Sequence, residues 1–188
     1  PHTHHYGFTA TPMAFDIAAV QSLYGKNMST GAGVTTYFLP DENAPGTFYQ
    51  CIWDASGTDT MQYEGSRDAT LDLRAATLTN APLGGGAISR ADGIYGGFTI
   101  AHDVVIENAT GGAGDDTIEG NDSDNHLRGR AGEDSVTARD GNDTVEGGAD
   151  DDSLSGGPGQ DLLYGEDGDD ILHGDDGDDT IVAVTGMR

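Results

Sequence analysis

Residues 111–182 contain eight consecutive nine-residue repeats, and no other feature restricts the fold of this chain as strongly. Position 6 of the repeat is Asp in seven copies and Asn in one; position 1 is Gly in seven and position 4 is Gly in six. An unbroken array with a fixed period predicts a solenoid, in which each repeat buries its apolar side chain only by stacking on its neighbours. Position 8 is aliphatic in every copy: Ile118, Leu127, Val136, Val145, Leu154, Leu163, Leu172 and Ile181.

Each repeat divides into a six-residue turn and a three-residue strand. Glycine permits the positive φ angles and the close backbone approach that such a tight turn requires. In the strand, the aliphatic side chain points inward and its two neighbours point outward. Two repeats then form one coil, and the turns of a repeat and of the repeat after next lie one above the other. We therefore predict an all-β fold, a parallel β-roll with two parallel sheets.

Stacked turns would place two position-6 carboxylates and several backbone carbonyls around each gap between coils. Such an all-oxygen environment suits Ca²⁺ rather than zinc or copper, and the pattern G-G-x-G-x-D-x-U-x, in which U is a large apolar residue, is typical of the calcium-binding RTX repeat. The repeats carry 22 Asp and Glu against three Arg, so they hold −19 of the chain's net charge of −25. Such a block repels itself without cations, and we expect it to be disordered until calcium binds.

Two other interpretations of the acidic repeats fit less well. A disordered acidic tail has a similar composition, but disorder does not require an aliphatic residue at every ninth position. An EF-hand needs a Glu at position 12 of its loop, six residues after the loop glycine, and none of the D-G pairs in the repeats has one.

Composition also narrows the classes of partner. The strong negative charge argues against nucleic acid and anionic lipid. The chain has no 18-residue apolar run and no N-terminal signal peptide, so we expect no membrane span. The single cysteine, Cys51, excludes an internal disulfide.

The chain before the repeats begins with a short terminus and one predicted helix. We expect residues 1–11 to be a flexible terminus. Their three histidines do not indicate a zinc site, because no H-E-x-x-H motif surrounds them. A helix is predicted over residues 12–25, where Thr11 can cap the first turn and Gly25 ends the pattern. Its apolar face would consist of Met13, Ile17, Val20 and Tyr24.

Residues 26–110 are predicted to be a β-rich capping region, since solenoids need capped ends. Candidate strands are TTYFL, TFYQCIWD, DTMQY, ATLDL and VVIEN, separated by proline and glycine. Residues 183–188 form a short tail.

Four stretches, in this order, closely resemble the C-terminal domain of serralysin-type secreted bacterial metalloproteases: TPMAFDIAAVQSLYG, KNMSTGAG, IWDASGTDTMQYEG and TIAHDVVIENATGGAGDD. The resemblance spans residues 12–182. It implies a calcium-filled parallel β-roll that follows a zinc protease domain and assists type I secretion and folding. The helix at 12–25 would then be the end of an absent catalytic domain.

The resemblance also implies a ligand pattern. Each ion would be held by the carbonyls of positions 2 and 4 and the position-6 side chain of one repeat, and by positions 1, 3 and 6 of the repeat after next. The site that pairs Asn125 with Asp143 lacks one carboxylate and should be the weakest. The ligands implied in the roll are Gly112, Gly114, Asp116, Asn125, Gly129, Ala131, Asp134, Gly141, Asp143, Gly147, Ala149, Asp152, Gly156, Pro158, Asp161, Gly165, Asp167, Asp170, Gly174, Asp176 and Asp179.

Two further calcium sites are implied before the repeats. The alternative for Asp54, Asp59 and Glu107 is that they only form hydrogen bonds within turns. The chain departs from the family at position 31, where the family often has Arg, and at Val105, where it has Thr. The first site would contain Gly31, Gly33, Thr35, Asp54, Ser56 and Asp59, and the second Gly57, Asp59 and Glu107.

These observations favour a calcium-binding RTX module, holding about six to eight Ca²⁺ by the family pattern, in a secreted bacterial protein. The module would fold on calcium binding after type I secretion and stabilise a parent enzyme. We expect no zinc site and no catalysis from this chain, because H-E-x-x-H is absent; the parent would be a zinc metalloendopeptidase. The alternative is a binding or adhesion module beside a different catalytic domain. That function would favour an exposed row of aromatic residues, and the repeats contain only Tyr164.

Overall fold

The computed structural model describes residues 32–45, 47–54, 56–77 and 86–183. These residues form fifteen β-strands and no helix, and therefore no helix that is long and apolar enough to cross a membrane. The helix predicted over residues 12–25 lies outside them. The strands are β1 (Thr36–Phe38), β2 (Tyr49–Ile52), β3 (Thr60–Gln62), β4 (Ala69–Asp72), β5 (Arg90–Ala91), β6 (Gly97–Ile100), β7 (Asn108–Thr110), β8 (Thr117–Glu119), β9 (His126–Ala131), β10 (Ser135–Thr137), β11 (Thr144–Ala149), β12 (Ser153–Ser155), β13 (Leu162–Asp167), β14 (Ile171–His173) and β15 (Thr180–Val182).

The strands form two large sheets and one small one. The first sheet has the order β1-β3-β7-β9-β11-β13-β15 and is parallel throughout. The second has the order β14-β12-β10-β8-β4-β5 and is parallel except for the β4–β5 pair. Strands β2 and β6 form a separate parallel pair. Consecutive repeats therefore alternate between two parallel sheets, which confirms the predicted β-roll.

The register follows the repeat. Val136 lies between Ile118 and Leu154 on neighbouring strands, and Leu127 pairs with Val145. Each strand thus pairs with the strand two repeats later, because one coil contains two nine-residue repeats.

The aliphatic residues at position 8 fill the interior of the roll. The first six of them, from Ile118 to Leu163, are at most 1 % exposed. Leu172 is only partly buried and Ile181 is 47 % exposed, since no later described coil covers them.

Strands of the capping region continue the same sheets, but the sequence separation between paired strands is no longer constant. Thr36 pairs with Thr60, Thr60 pairs with Asn108, and Asn108 pairs with His126. The first two steps span 24 and 48 residues, whereas the third spans 18 residues like the steps within the roll. The described residues 32–38, 54, 56–62 and 102–110 therefore occupy repeat positions in the first sheet, with Asp54 at position 1 and Thr35, Asp59 and Glu107 at position 6.

Most of the strands predicted before the repeats are confirmed, and one is wrong. TTYFL, TFYQCIWD, DTMQY and ATLDL contain β1, β2, β3 and β4, but VVIEN is not a strand, since β7 begins only at its last residue, Asn108. Val104 and Ile106 are both buried, at 4 % and 0 % exposure, and occupy a turn that packs inward. A run of apolar residues indicated burial correctly without indicating an extended conformation.

Candidate calcium sites

The position-6 side chains form a hydrogen-bonded ladder along each sheet. In the second sheet, the backbone N–H of Asp116 donates to Asp134 Oδ1 at 2.8 Å, and that of Asp134 donates to Asp152 Oδ1 at 2.9 Å. Asp152 donates to Asp170 in the same way at 3.0 Å. The turns thus bring together the carboxylates that the sequence pattern pairs, because equivalent positions stack one coil apart.

The first sheet carries the equivalent ladder. The N–H of Asn125 donates to Asp143 Oδ1 at 2.6 Å, that of Asp143 donates to Asp161 at 2.8 Å, and that of Asp161 donates to Asp179 at 3.0 Å. One oxygen of each of these carboxylates is therefore used by the protein backbone.

The second carboxylate oxygen has no partner within the protein at several of these positions. Oδ2 is buried and accepts no hydrogen bond in Asp134, Asp143, Asp152 and Asp161, and the same is true of Asp59 before the repeats. A buried oxygen of an ionised carboxylate without a partner is strongly destabilising. These oxygens therefore have the property expected of ligands to a cation.

The electrostatics agree with that interpretation. Burial raises the pKa of Asp134 and of Asp143 to about 7, and that of Asp152 to about 6, with the neighbouring carboxylates adding to the effect. Burial likewise raises the pKa of Asp116 and Asp161. Without a cation, these turns favour the protonated carboxyl groups, since like charges meet in a desolvated setting.

Glycine at position 1 leaves room for oxygens from two coils. A Cβ on Gly129 would overlap Asp134 Oδ2 and would lie 2.7 Å from the carbonyl oxygen of Gly147 in the coil after it. A Cβ on Gly147 would meet Asp152 Oδ2 and the Gly165 carbonyl in the same way. A position-6 carboxylate oxygen and the position-1 carbonyl of the repeat after next therefore converge beside each such glycine.

Carbonyl oxygens of positions 2 and 4 point along the stack towards the next coil. A Cβ on Gly132 would overlap the Gly114 carbonyl oxygen, and one on Gly148 would overlap that of Arg130. In the opposite direction, the position-3 carbonyl of Ala149 accepts a hydrogen bond from Gly132 N–H at 3.2 Å. Backbone carbonyls of the earlier and the later coil therefore face the interface between these stacked turns.

This donor set fits Ca²⁺. It consists of carboxylate and carbonyl oxygens only, which is the chemistry that calcium prefers. Within the described ranges, no group of three or more His, Cys, Asp or Glu side chains converges as a metal site. An ion in these turns would therefore depend on backbone carbonyls as well as on two carboxylates.

Ala138 and Pro158 depart from the repeat consensus without disturbing the turns. Ala138 occupies position 1 and is fully buried, and its N–H donates to the Ser155 carbonyl at 2.9 Å. Pro158 occupies position 3, and its carbonyl accepts a hydrogen bond from Gly141 N–H at 3.2 Å. The remaining backbone residues named from the sequence (Gly112, Ala131, Gly156, Asp167, Gly174 and Asp176) lie at equivalent positions of the stacked turns.

The two predicted sites before the repeats share the geometry of the roll. Thr35 N–H donates to Asp59 Oδ1 and Asp59 N–H donates to Glu107 Oε2, each at 2.7 Å. A Cβ on Gly57 would overlap the Gly33 carbonyl oxygen, as at position 4 in the roll. Gly31 lies outside the described residues.

Asp54 is used differently from the other acidic residues. Its carboxylate accepts hydrogen bonds from the Tyr37 hydroxyl and, at 3.2 Å, from Ser56 N–H. Burial, together with the hydrogen bond to Asp54, raises the pKa of Tyr37. Asp54 could therefore serve an ion through its position-1 carbonyl rather than through its side chain.

Position 5 forms a second ladder that the sequence analysis missed. Glu133 N–H donates to Asp115 Oδ1 at 3.0 Å, and Asn142 N–H donates to Asp124 Oδ1 at 2.8 Å. Asp169 N–H donates to Asp151 Oδ1 at 2.8 Å. The sequence did contain a signal for this ladder, because position 5 is Asp, Glu, Asn or Gln in every repeat.

Comparison of the sequence with models of known protein families identifies the family of this chain. A model described as Peptidase M10 serralysin C terminal matches residues 14–163. The chain belongs to the serralysin C-terminal family. A second model, described as RTX calcium-binding nonapeptide repeat (4 copies), matches residues 146–181. The chain is thus a calcium-binding module of a serralysin-like protein.

Curated relatives agree with the family match. Serralysin C of Dickeya chrysanthemi is 40 % identical over 125 residues, which cover 61 % of this chain and 23 % of the relative. Serralysin of Proteus mirabilis is 35 % identical over 128 residues, covering 62 % and 24 %. Metallopeptidase AprA of Pseudomonas marginalis is 34 % identical over 126 residues, also covering 62 % and 24 %. The chain therefore aligns with about a quarter of the length of these relatives.

Proposed function

We propose that the repeat roll of this serralysin C-terminal module remains unfolded in the absence of calcium and folds when calcium fills its turns. The main support is the row of buried, unpartnered carboxylate oxygens in Asp134, Asp143, Asp152 and Asp161. Bound cations would neutralise these oxygens and the net charge of −19 in the repeats, so the binding free energy becomes folding free energy.

Export is the context in which such a switch is useful. Sites of the extracellular class bind calcium at about 10⁻⁴–10⁻³ M, far above cytosolic concentrations. The module would therefore stay unfolded until a type I system had carried it out of a bacterial cell. Outside, the folded roll would stabilise a parent enzyme, a secreted zinc metalloendopeptidase whose catalytic domain precedes the module.

The ligands proposed for each ion follow the stacked turns. Positions 2, 4 and 6 of one repeat face positions 1, 3 and 6 of the repeat after next, so the ions would lie in the gaps between Asp116, Asp134, Asp152 and Asp170 on one sheet. On the other sheet they would lie between Asn125, Asp143, Asp161 and Asp179. Two more would lie between Thr35 and Asp59 and between Asp59 and Glu107, giving about eight in all.

Far-ultraviolet circular dichroism of the chain with chelator and with about 5 mM calcium tests the folding proposal, since extracellular modules saturate in that range. We expect a spectrum dominated by disorder in chelator, from the roll, that becomes β-rich on adding calcium. Magnesium at the same concentration is the control, and it should not substitute, because it demands near-octahedral geometry at shorter distances. A β-rich spectrum in chelator would refute the proposal.

The proposal for the parent protein has a separate test. The coding sequence upstream of Pro1 should encode H-E-x-x-H, and the complete protein should cleave casein only when zinc is present. A different catalytic motif upstream would leave the calcium switch intact but exclude the protease.

A further inference from the structure

We propose that the gap between residues 102–110 and residues 120–128 is closed by the side-chain amide of Asn125 rather than by a calcium ion. Asn125 would then be a positioning residue that joins the roll to the capping region independently of metal. This inference rests on the proposed function, because it concerns which of the stacked turns hold ions.

The hydrogen-bonded ladder changes direction at Asn125. Elsewhere in the first sheet, wherever the later of two stacked position-6 residues is Asp or Glu, its carboxylate accepts a hydrogen bond. The donor is the backbone N–H of the position-6 residue in the earlier coil. At Asn125 the side chain donates instead, from Nδ2 to the Glu107 carbonyl oxygen at 3.0 Å. The amide group thus reaches the backbone oxygen of the earlier coil without any ion between them.

Every polar atom of the Asn125 side chain has a protein partner. Its Oδ1 accepts a hydrogen bond from Asn121 N–H at 2.8 Å, and its Nδ2 also donates to Asn121 Oδ1 at 3.3 Å. By contrast, Oδ2 of Asp143 in the next coil of the same sheet is buried without a partner. The Asn125 side chain therefore offers the earlier gap an N–H donor and no unpartnered oxygen that a cation could use.

Asn121 completes the closure by bridging two segments. Its Nδ2 donates to the Ile106 carbonyl at 2.8 Å and to the Leu73 carbonyl at 3.3 Å. The turn at 102–110 also differs in character, since Val104 and Ile106 are buried there. Two of its turn positions therefore direct apolar side chains into the core.

The opposite side of Asn125 keeps the geometry of a calcium site. A Cβ on Gly120 would lie 2.6 Å from Asn125 Oδ1 and would overlap the Ala138 carbonyl oxygen. A Cβ on Gly111 would meet Asp116 Oδ2 and the Gly129 carbonyl in the same arrangement. Asn125 therefore presents an oxygen to the later gap, towards Asp143, and an NH₂ group to the earlier one. An aspartate could do the first but not the second.

Anomalous diffraction from crystals of the chain grown in excess calcium locates the ions directly. We expect peaks in the gaps between Asp143 and Asp161 and between Asp134 and Asp152, and none between Glu107 and Asn125. A peak between Glu107 and Asn125 would overturn the inference while leaving the proposed function intact. A map without peaks in any gap of the roll would refute the proposed function itself.

Two matched variants test the role of the amide. Asn125→Asp replaces the donor with an oxygen that faces two acceptors, so we expect the thermal midpoint in saturating calcium to fall by about 5 °C or more. Asn142→Asp makes the same change in charge at an exposed position-5 residue. Its Oδ1 can still accept from Gln160 N–H, and it loses only a long, exposed hydrogen bond of 3.4 Å from Nδ2 to Asp124 Oδ1. This control should shift the midpoint by about 1 °C at most.

The number of bound calcium ions provides a second measurement on the same variants. We expect Asn125→Asp to bind no more ions per chain than the unaltered protein, because the earlier gap is filled by protein atoms. An additional ion, or a fall in the midpoint no larger than that of Asn142→Asp, would contradict the assignment.

Discussion

The turns of the roll and the turns of the capping region differ in how their polar groups are satisfied. In the roll, buried carboxylate oxygens such as Asp134 Oδ2 and Asp152 Oδ2 lack protein partners. In the capping region, the Tyr63 hydroxyl donates to Asp41 Oδ1 at 2.5 Å, and Arg74 pairs with Asp72 through two hydrogen bonds. The capping region thus satisfies Asp41 and Asp72 internally, with Asp59 Oδ2 as an exception, whereas the roll leaves the Oδ2 atoms of Asp134, Asp143, Asp152 and Asp161 without a protein partner.

The two regions also differ in their apolar cores. Met61, Tyr63, Leu71, Leu73 and Ile100 are almost fully buried in the capping region. The roll contributes only one aliphatic side chain from each nine-residue repeat, which gives little hydrophobic stabilisation for the backbone that must be ordered. One continuous sheet thus joins a part that buries several large side chains to a part whose core is mainly one aliphatic side chain per repeat.

Removal of calcium should separate the two regions most clearly. Under chelator, we expect amide protons of β8, β10 and β12 to lose their protection from hydrogen exchange completely, because their turns repel one another. Strands β4 and β6 should keep measurable protection, since their cores contain several large side chains. Residue-resolved hydrogen exchange by NMR would show this, and equal protection in both regions would remove the distinction.

Asp161→Ala should have the next largest effect, because its carboxylate lies between two gaps of the first sheet. We expect the calcium concentration at half-folding to rise at least tenfold, about 1.4 kcal/mol or more. Asp178→Ala removes the same charge from an exposed position-5 residue and serves as the control. Calcium titrations followed by circular dichroism compare the two, and equal shifts would mean that only net charge matters.

Gly159→Ala tests whether close backbone approach limits the roll. A Cβ at this position would overlap the Gly141 carbonyl oxygen one coil earlier. We expect a loss of about 1–3 kcal/mol in the free energy of unfolding in saturating calcium. Ser123→Ala is the matched control, because position 4 of that repeat already carries a Cβ. Urea unfolding measures both, and an unchanged Gly159→Ala midpoint would count against tight stacking.

Acidification should partly replace calcium in the roll. The pKa of Asp134 and that of Asp143 are raised to about 7 in the folded chain. A carboxyl group with a higher pKa in the folded than in the unfolded state favours folding when protonated. The metal-free roll should therefore gain stability as pH falls from about 7 towards about 4. Circular dichroism in chelator across this range checks the sign, and β structure that decreases on acidification would contradict it.

Glu166→Gly should produce the smallest change, and in the opposite direction. Glu166 occupies position 2 of its repeat with φ of 71°, a left-handed conformation that costs a non-glycine residue about 1–2 kcal/mol. Replacement by glycine should stabilise the chain by about 0.5–1 kcal/mol after the entropy cost of glycine. Glu133→Gly removes the same charge where no positive φ occurs, and it should destabilise. Thermal unfolding in calcium distinguishes the two variants.

Much of the roll was predictable because its information is local. The position-8 pattern indicated which side chains are buried, and Ile118 through Leu163 confirm it. The pairing of Asp143 with Asp161 also followed from the period, since every coil uses two repeats. The prediction of a strand at VVIEN was wrong because burial of Val104 and Ile106 arises from a turn, which an apolar run does not distinguish from a strand.

The sequence alone determined the solenoid, its period and the chemistry of its turns, because all three repeat every nine residues. Only the tertiary structure decided how the capping segments enter the same sheets, since their steps of 24 and 48 residues have no period to detect. It also decided which position-6 side chains have partners. Asn125 and Asp143 occupy equivalent positions, yet one meets the Glu107 carbonyl and the other retains an unpaired oxygen. The amide at position 125 is visible in the sequence, but the carbonyl that it meets belongs to the preceding coil, which lies outside the repeats and follows no repeat period.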